Sequence, residues 1–223
     1  MDNFFLISNY LKIFKKVFSD EIIIPQTVRP KNKQSNFINE KDILIPYECI
    51  INNCEKCQSP DSENKFFFGT GDPNANLLIV DEAPALEMNR KGVPFLGKAG
   101  KLLDKILLAL GLSRTRDVFI VNILRCELPK NRDPLPSEIE KYIPYLNRQI
   151  KIIQPKLILA LGKVAGKSLI GSDISLQEMR GEIFDYNGIP LRITYHPETL
   201  LRNPILKRLA WDDFKWVKNH MEN

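Results

Sequence analysis

Long hydrophobic runs are missing from this chain. No apolar stretch approaches the ~20 residues of a membrane-spanning helix, so such a helix is excluded. Histidine is scarce, with 2 in 223 residues, and any imidazole chemistry rests on His196 or His220. Cysteine is scarce too: there are 4, and in a reducing cytoplasm they are not expected to form structural disulfides. A strong charge of one sign is also absent. The 32 Lys and Arg against 27 Asp and Glu leave +5, compatible with a polyanionic partner without diagnosing one. The opening residues carry Asp2 and lack a basic leader with a small-residue cleavage site, which predicts a soluble, cytoplasmic protein with no membrane partner. What is present is globular composition, 43% hydrophobic and 26% charged.

Three segments follow from patterning. Phe4, Ile7, Leu11, Phe14 and Phe18 form one apolar stripe at helical spacing, so residues 1–23 are predicted as an amphipathic helix, a candidate contact for its own domain or for a protein partner. Residues 24–48 turn polar and are punctuated by Pro25 and Pro30, as in a linker. Residues 49–223 alternate apolar runs with helical patterns. Strands are expected at Leu77 to Val80, Val118 to Val121, Leu157 to Leu161 and Ile189 to Tyr195. Helices are expected at Leu102 to Gly111, at 137–153 with Ser137 as a cap, and at 163–170. Continuous apolar strands between helices indicate a parallel sheet covered on both faces. The expected fold is therefore a three-layer α/β/α sandwich around a mostly parallel four-stranded sheet.

Ligands of such sheets bind at the carboxyl ends of the strands. Glu82, Asn122 and His196 each follow an apolar run directly, which places a carboxylate, an amide and an imidazole on one rim. Phosphate loops are imitated but not completed. Gly92 to Ala99 has alanine where the magnesium-binding hydroxyl is required, and in Gly162 to Ser168 the glycines stand one residue too close. Cys54-Glu55-Lys56-Cys57 has the spacing of a metal or cluster knuckle, with Cys49 and Cys126 as further thiols.

Five ordered segments make the chain resemble the iron–sulfur, family 4 uracil-DNA glycosylases over roughly residues 50–218. They are Phe68-Gly69-Thr70-Gly71-Asp72-Pro73 leading into Leu77 to Pro84, Gly92 to Gly100, Val121-Asn122 to Cys126, Pro129 to Pro134, and Tyr195-His196-Pro197 with Leu201 to Pro204. The resemblance implies a monomeric hydrolase that cuts the N-glycosidic bond of deoxyuridine flipped out of DNA, releasing uracil and leaving an abasic site. It implies Glu82 and His196 as catalytic residues, and a uracil pocket of Glu82, Ala83, Pro84, Phe95, Asn122 and His196. Phe95 would stack on the base, Asn122 would read it, and His196 would donate to its O2. Leu200, Leu201 and Arg202 would enter DNA, with Lys98, Lys101, Arg132 and Lys207 as candidate phosphate contacts. A 4Fe-4S cluster would be held by Cys54, Cys57 and Cys126, the fourth ligand being Cys49 or Tyr142.

The chain departs from that pattern in the loop Asp81-Glu82-Ala83-Pro84-Ala85, where both family glycines are replaced, and at Tyr142, where the family places a cysteine. Those changes motivate a second expectation: a DNA-binding or lesion-sensing module on the same scaffold, with little or no turnover.

Overall fold

The computed structural model describes residues 68–84, 97–125 and 132–222. The expected N-terminal helix and linker, Phe95 and all four cysteines lie outside them. In chain order the elements are strands β1 (Thr70–Gly71) and β2 (Leu77–Asp81), helix α1 (Lys98–Ala109), strand β3 (Val118–Asn122) and helix α2 (Pro136–Ile153). Strand β4 (Leu157–Leu161) and helices α3 (Gly162–Ile170) and α4 (Leu176–Met179) follow. The hairpin β5 (Ile183–Tyr186) and β6 (Ile189–Thr194) leads to α5 (Pro197–Arg202), a 3-10 turn (Pro204–Leu206) and α6 (Lys207–Glu222).

The sheet order is β1-β3-β2-β4-β6-β5. Strands β3, β2, β4 and β6 run parallel, as the four apolar runs predict. The sheet nevertheless has six strands, because β1 and β5 add antiparallel edges. Every residue of β2, β3 and β4 is buried, and alternate residues point to opposite faces. Leu78, Val80, Phe119, Val121, Ile158 and Ala160 meet α2, α3 and α4 on one face. Leu77, Ile79, Val118, Ile120, Leu157 and Leu159 meet α1, α5 and α6 on the other. This is the three-layer arrangement, and no helix among the described residues is long and apolar enough to cross a membrane.

Local chemistry sets the helix ends. Helix α1 stops where Gly111 takes φ +71, its N–H donating to Leu108 and that of Leu112 to Leu107. Helix α2 begins one residue earlier than expected. Pro136 is its first residue, so Ser137 lies inside the first turn and is not the cap. Glu138 caps instead, accepting from the Leu135 N–H at 2.8 Å. Both Arg132 Nη groups donate to Glu138 at 2.7 Å, which holds the Glu138 carboxyl down at about 2.

A buried ionic knot fixes α6 beneath β6. Asp213, fully buried, accepts from Arg180 at 2.7 Å, from Arg192 at 3.1 Å and from the Thr194 hydroxyl at 2.8 Å. The two guanidiniums also lie over aromatic rings, Arg180 at 4.4 Å from Tyr195 and Arg192 at 5.2 Å from Trp216. This knot sits directly below the strand end that carries His196.

Candidate active site

Parallel register places the ends of β2 and β3 side by side, with Asp81 opposite Asn122. The chain continues that pairing beyond the strands: Ile123 N–H donates to Asp81 O and Leu124 N–H to Glu82 O. The loop bearing Glu82, Ala83 and Pro84 is thereby tied to the segment that follows Asn122. His196 arrives from β6, two strands away, as the residue that caps α5. Its Nδ1 accepts from the Glu198 N–H at 3.1 Å. The structure thus brings Glu82, Asn122 and His196 to one rim, as their positions after apolar runs predict.

Glu82 reaches across the sheet end to α3, where its Oε1 accepts the Val164 N–H at 2.9 Å. A carboxylate at a helix N-terminus satisfies an orphan donor and sits favourably in the helix dipole. That approach requires glycine at position 162. Gly162 has φ +92, and a Cβ there would lie 2.4 Å from Glu82 Oε1 and 3.3 Å from His196 Cβ. The glycines that imitate a phosphate loop thus have packing roles. Gly162 makes room for Glu82, while Gly166 admits Ile193 and Met179. The Ser168 hydroxyl is used within its own helix, donating to Val164 O.

The electrostatics follow from burial. Desolvation pushes the Glu82 carboxyl above its ordinary range, the Val164 amide pulls it back, and neighbouring Asp81 pushes it up again. For His196, burial opposes the charge, but Asp81, Glu82 and Glu198 outweigh it and the imidazole pKa is raised. Asn122 is wholly buried, and neither its Oδ1 nor its Nδ2 has a hydrogen-bond partner among the described residues. Buried amides are otherwise almost always paired. An unpaired donor and acceptor on one side chain form a ready edge for a ligand carrying the complementary pair.

The DNA-entry segment is corrected in part. Leu200 is 1% exposed and packs with Leu103, Leu107 and Phe214 in the core, so the wedge cannot include it as placed. Leu201 and Arg202 are exposed, and Arg202 pairs with Glu198 at 2.8 Å. Just beyond them Ile205 is 84% exposed, an apolar residue that the motif reading passed over. Of the candidate phosphate contacts, Lys98, Lys101 and Lys207 are exposed, whereas Arg132 is engaged by Glu138. Asp81, at the first changed position of the loop, lies 3.0 Å from His196, a closeness that only the fold discloses, since nothing local signals a contact between β2 and β6.

Comparison with known proteins agrees with the motifs. The model of the uracil DNA glycosylase superfamily matches residues 68–215. The chain belongs to this superfamily. It is 35% identical over 175 residues to the Type-4 uracil-DNA glycosylase of Archaeoglobus fulgidus, a match covering 75% of this chain and 87% of that one. Against the Type-4 uracil-DNA glycosylase of Sulfurisphaera tokodaii the identity is 38% over 175 residues, covering 74% and 79%. The corresponding protein of Thermotoga maritima is 34% identical over 179 residues, covering 77% and 91%. All three alignments span most of both chains, and the residues matched by the superfamily model run from before β1 into α6 and include the rim.

Proposed function

We propose that this superfamily member excises uracil from DNA by hydrolysing the N-glycosidic bond of an extruded deoxyuridine, and that the rim described above is the active site. The unpaired Asn122 amide carries the assignment of the pocket. Its Nδ2 can donate to uracil O4 while its Oδ1 accepts from N3–H, and cytosine presents the reverse pattern at those two atoms. As the C1′–N1 bond breaks, its electron pair moves onto the base, and His196 donates to O2 to hold that charge. Water adds to C1′ and gives up a proton. Glu82, whose raised pKa suits it to accept that proton, faces the developing positive charge on the sugar. Ala83 and Pro84 continue the pocket wall. Phe95 stacks on the base, and Leu201 and Arg202 meet the DNA.

Incubation with a labelled uracil-containing oligonucleotide, followed by alkaline cleavage of abasic sites, tests the reading. Wild type is expected to turn over many times, and His196→Ala to lose at least about 10²-fold. Binding of uracil DNA with no cleavage would leave a lesion-sensing module instead.

A 4Fe-4S cluster belongs to the same proposal, held by Cys54, Cys57, Cys126 and Cys49. No group of His, Cys, Asp or Glu able to hold a metal occurs among the described residues. Tyr142, the alternative fourth ligand, is 6% exposed, and its ring packs in the apolar core with Phe68 and Leu146, which favours Cys49. Purified Tyr142→Phe is expected to keep about four irons per chain, and Cys49→Ala to lose them. The reverse result would assign the tyrosine.

A further inference from the structure

Two observations at the rim bear on the same nitrogen. His196 Nδ1 accepts the Glu198 N–H, so the neutral ring carries its proton on Nε2 and can donate only from there. Asp81 Oδ1 lies 3.0 Å from that Nε2. Asp81 is buried. The contact is close but off line: Asp81 Oδ1 completes no hydrogen bond of good geometry. The carboxylate therefore faces the Nε2–H without completing a well-aligned hydrogen bond, in an arrangement that a better-aligned acceptor can displace.

We propose that Asp81 is an internal competitor for the His196 donor, occupying Nε2 in the resting enzyme so that an entering base must displace a carboxylate. This role rests on the base-binding reading of His196. Uracil O2 needs the same Nε2–H, and the negative charge growing on the departing base develops beside the Asp81 carboxylate. The first effect opposes binding of the base and the second opposes its departure. The charged groups around the ring are Asp81 and Glu82 from the end of β2 and Glu198 from α5, while α3 brings the Gly162 backbone against its Cβ; Asp133 acts on Glu82. Burial acts against the imidazolium, and the three carboxylates reverse that, in keeping with an Asp81–His196 pair in the closed site.

Two variants of the full chain test the pair. Asp81→Asn keeps the side-chain shape without the charge, and Asp81→Gly removes the side chain. NMR titration of the imidazole signals reads His196 directly, with His220 as the one other histidine and internal reference. The His196 midpoint is expected to fall by about one unit or more in both variants. Inhibition of oligonucleotide cleavage by free uracil is expected to strengthen about tenfold, with KM lowered and kcat not reduced. A His196 midpoint unchanged in both variants would overturn the pairing. Weaker inhibition by uracil in both would overturn the competition and make Asp81 a support for base binding. The titration uses no substrate, so its result is independent of whether the protein excises uracil.

Discussion

Asn122→Leu is expected to abolish nearly all uracil excision while leaving the protein at least as stable as wild type. The two halves of this result have one cause. The amide has its donor and acceptor buried without partners among the described residues, so in the absence of a base it costs desolvation energy that no described group returns. A leucine of similar size removes both polar atoms and suits the buried end of β3. Stability should be unchanged or higher by about 1 kcal/mol. Excision loses two hydrogen bonds that form only with the base, and kcat/KM should fall by about 10²-fold or more. Steady-state cleavage and a urea melt on one preparation check both. A variant that excises within a few-fold of wild type would remove Asn122 from the pocket; one that loses activity and stability together would make it a structural residue.

Asp213→Ala is expected to produce the largest loss of stability of any single substitution considered for this chain. Asp213 is the one carboxylate in its knot, facing two guanidiniums and a hydroxyl, and its removal leaves Arg180 and Arg192 without that counter-charge. Arg192 is buried and Arg180 half-buried, and breaking a buried pair by removing one partner costs about 3–5 kcal/mol, which for a domain of this size lowers Tm by roughly 6–20 °C. The loss should reach the active site as well, because β6 is the strand that delivers His196. Thermal melts of Asp213→Ala and Asp213→Asn provide the check. A Tm within about 2 °C of wild type in both variants would show that α6 is held by Phe214 and Val217 alone.

Those two residues also mark what a sequence discloses and what it withholds. Asn122 was legible because it ends an unbroken apolar run, and in a parallel sheet such a position falls on the ligand-binding rim. Glu82 and His196 were legible for the same reason, and the four parallel strands because burial on both faces leaves runs that are apolar throughout. The edge strands were not. β1 has two residues, and β5 is mostly accessible, with Ile183 55% exposed, so neither carries that signal. Asp213 lies among charged residues of a helix with Asp212 beside it, where an acid reads as solvated surface; only the approach of Arg180 and Arg192 from other elements makes it internal. Leu200 erred the other way. As a motif residue it suggests a wedge, but α5 turns it inward toward α1. The Asp81–His196 pair joins residues about half the chain apart, and no local pattern encodes such a contact.

That separation has a consequence for synthesis. Domains emerge amino end first, at ~5–20 residues per second, and can begin to fold before they are complete. Glu82 and Asn122 are made early and share one edge of the sheet, but the nitrogen that completes the rim comes after β6, which pairs with β4 only once most of the polypeptide is out. α6 and its aspartate follow later still. A chain stopped before β6 thus carries half a rim, and one stopped before α6 holds the histidine on a strand that lacks the Asp213 anchor. Cleavage activity in this protein therefore reports that α6 has been made and docked, because that helix anchors the strand that delivers the histidine.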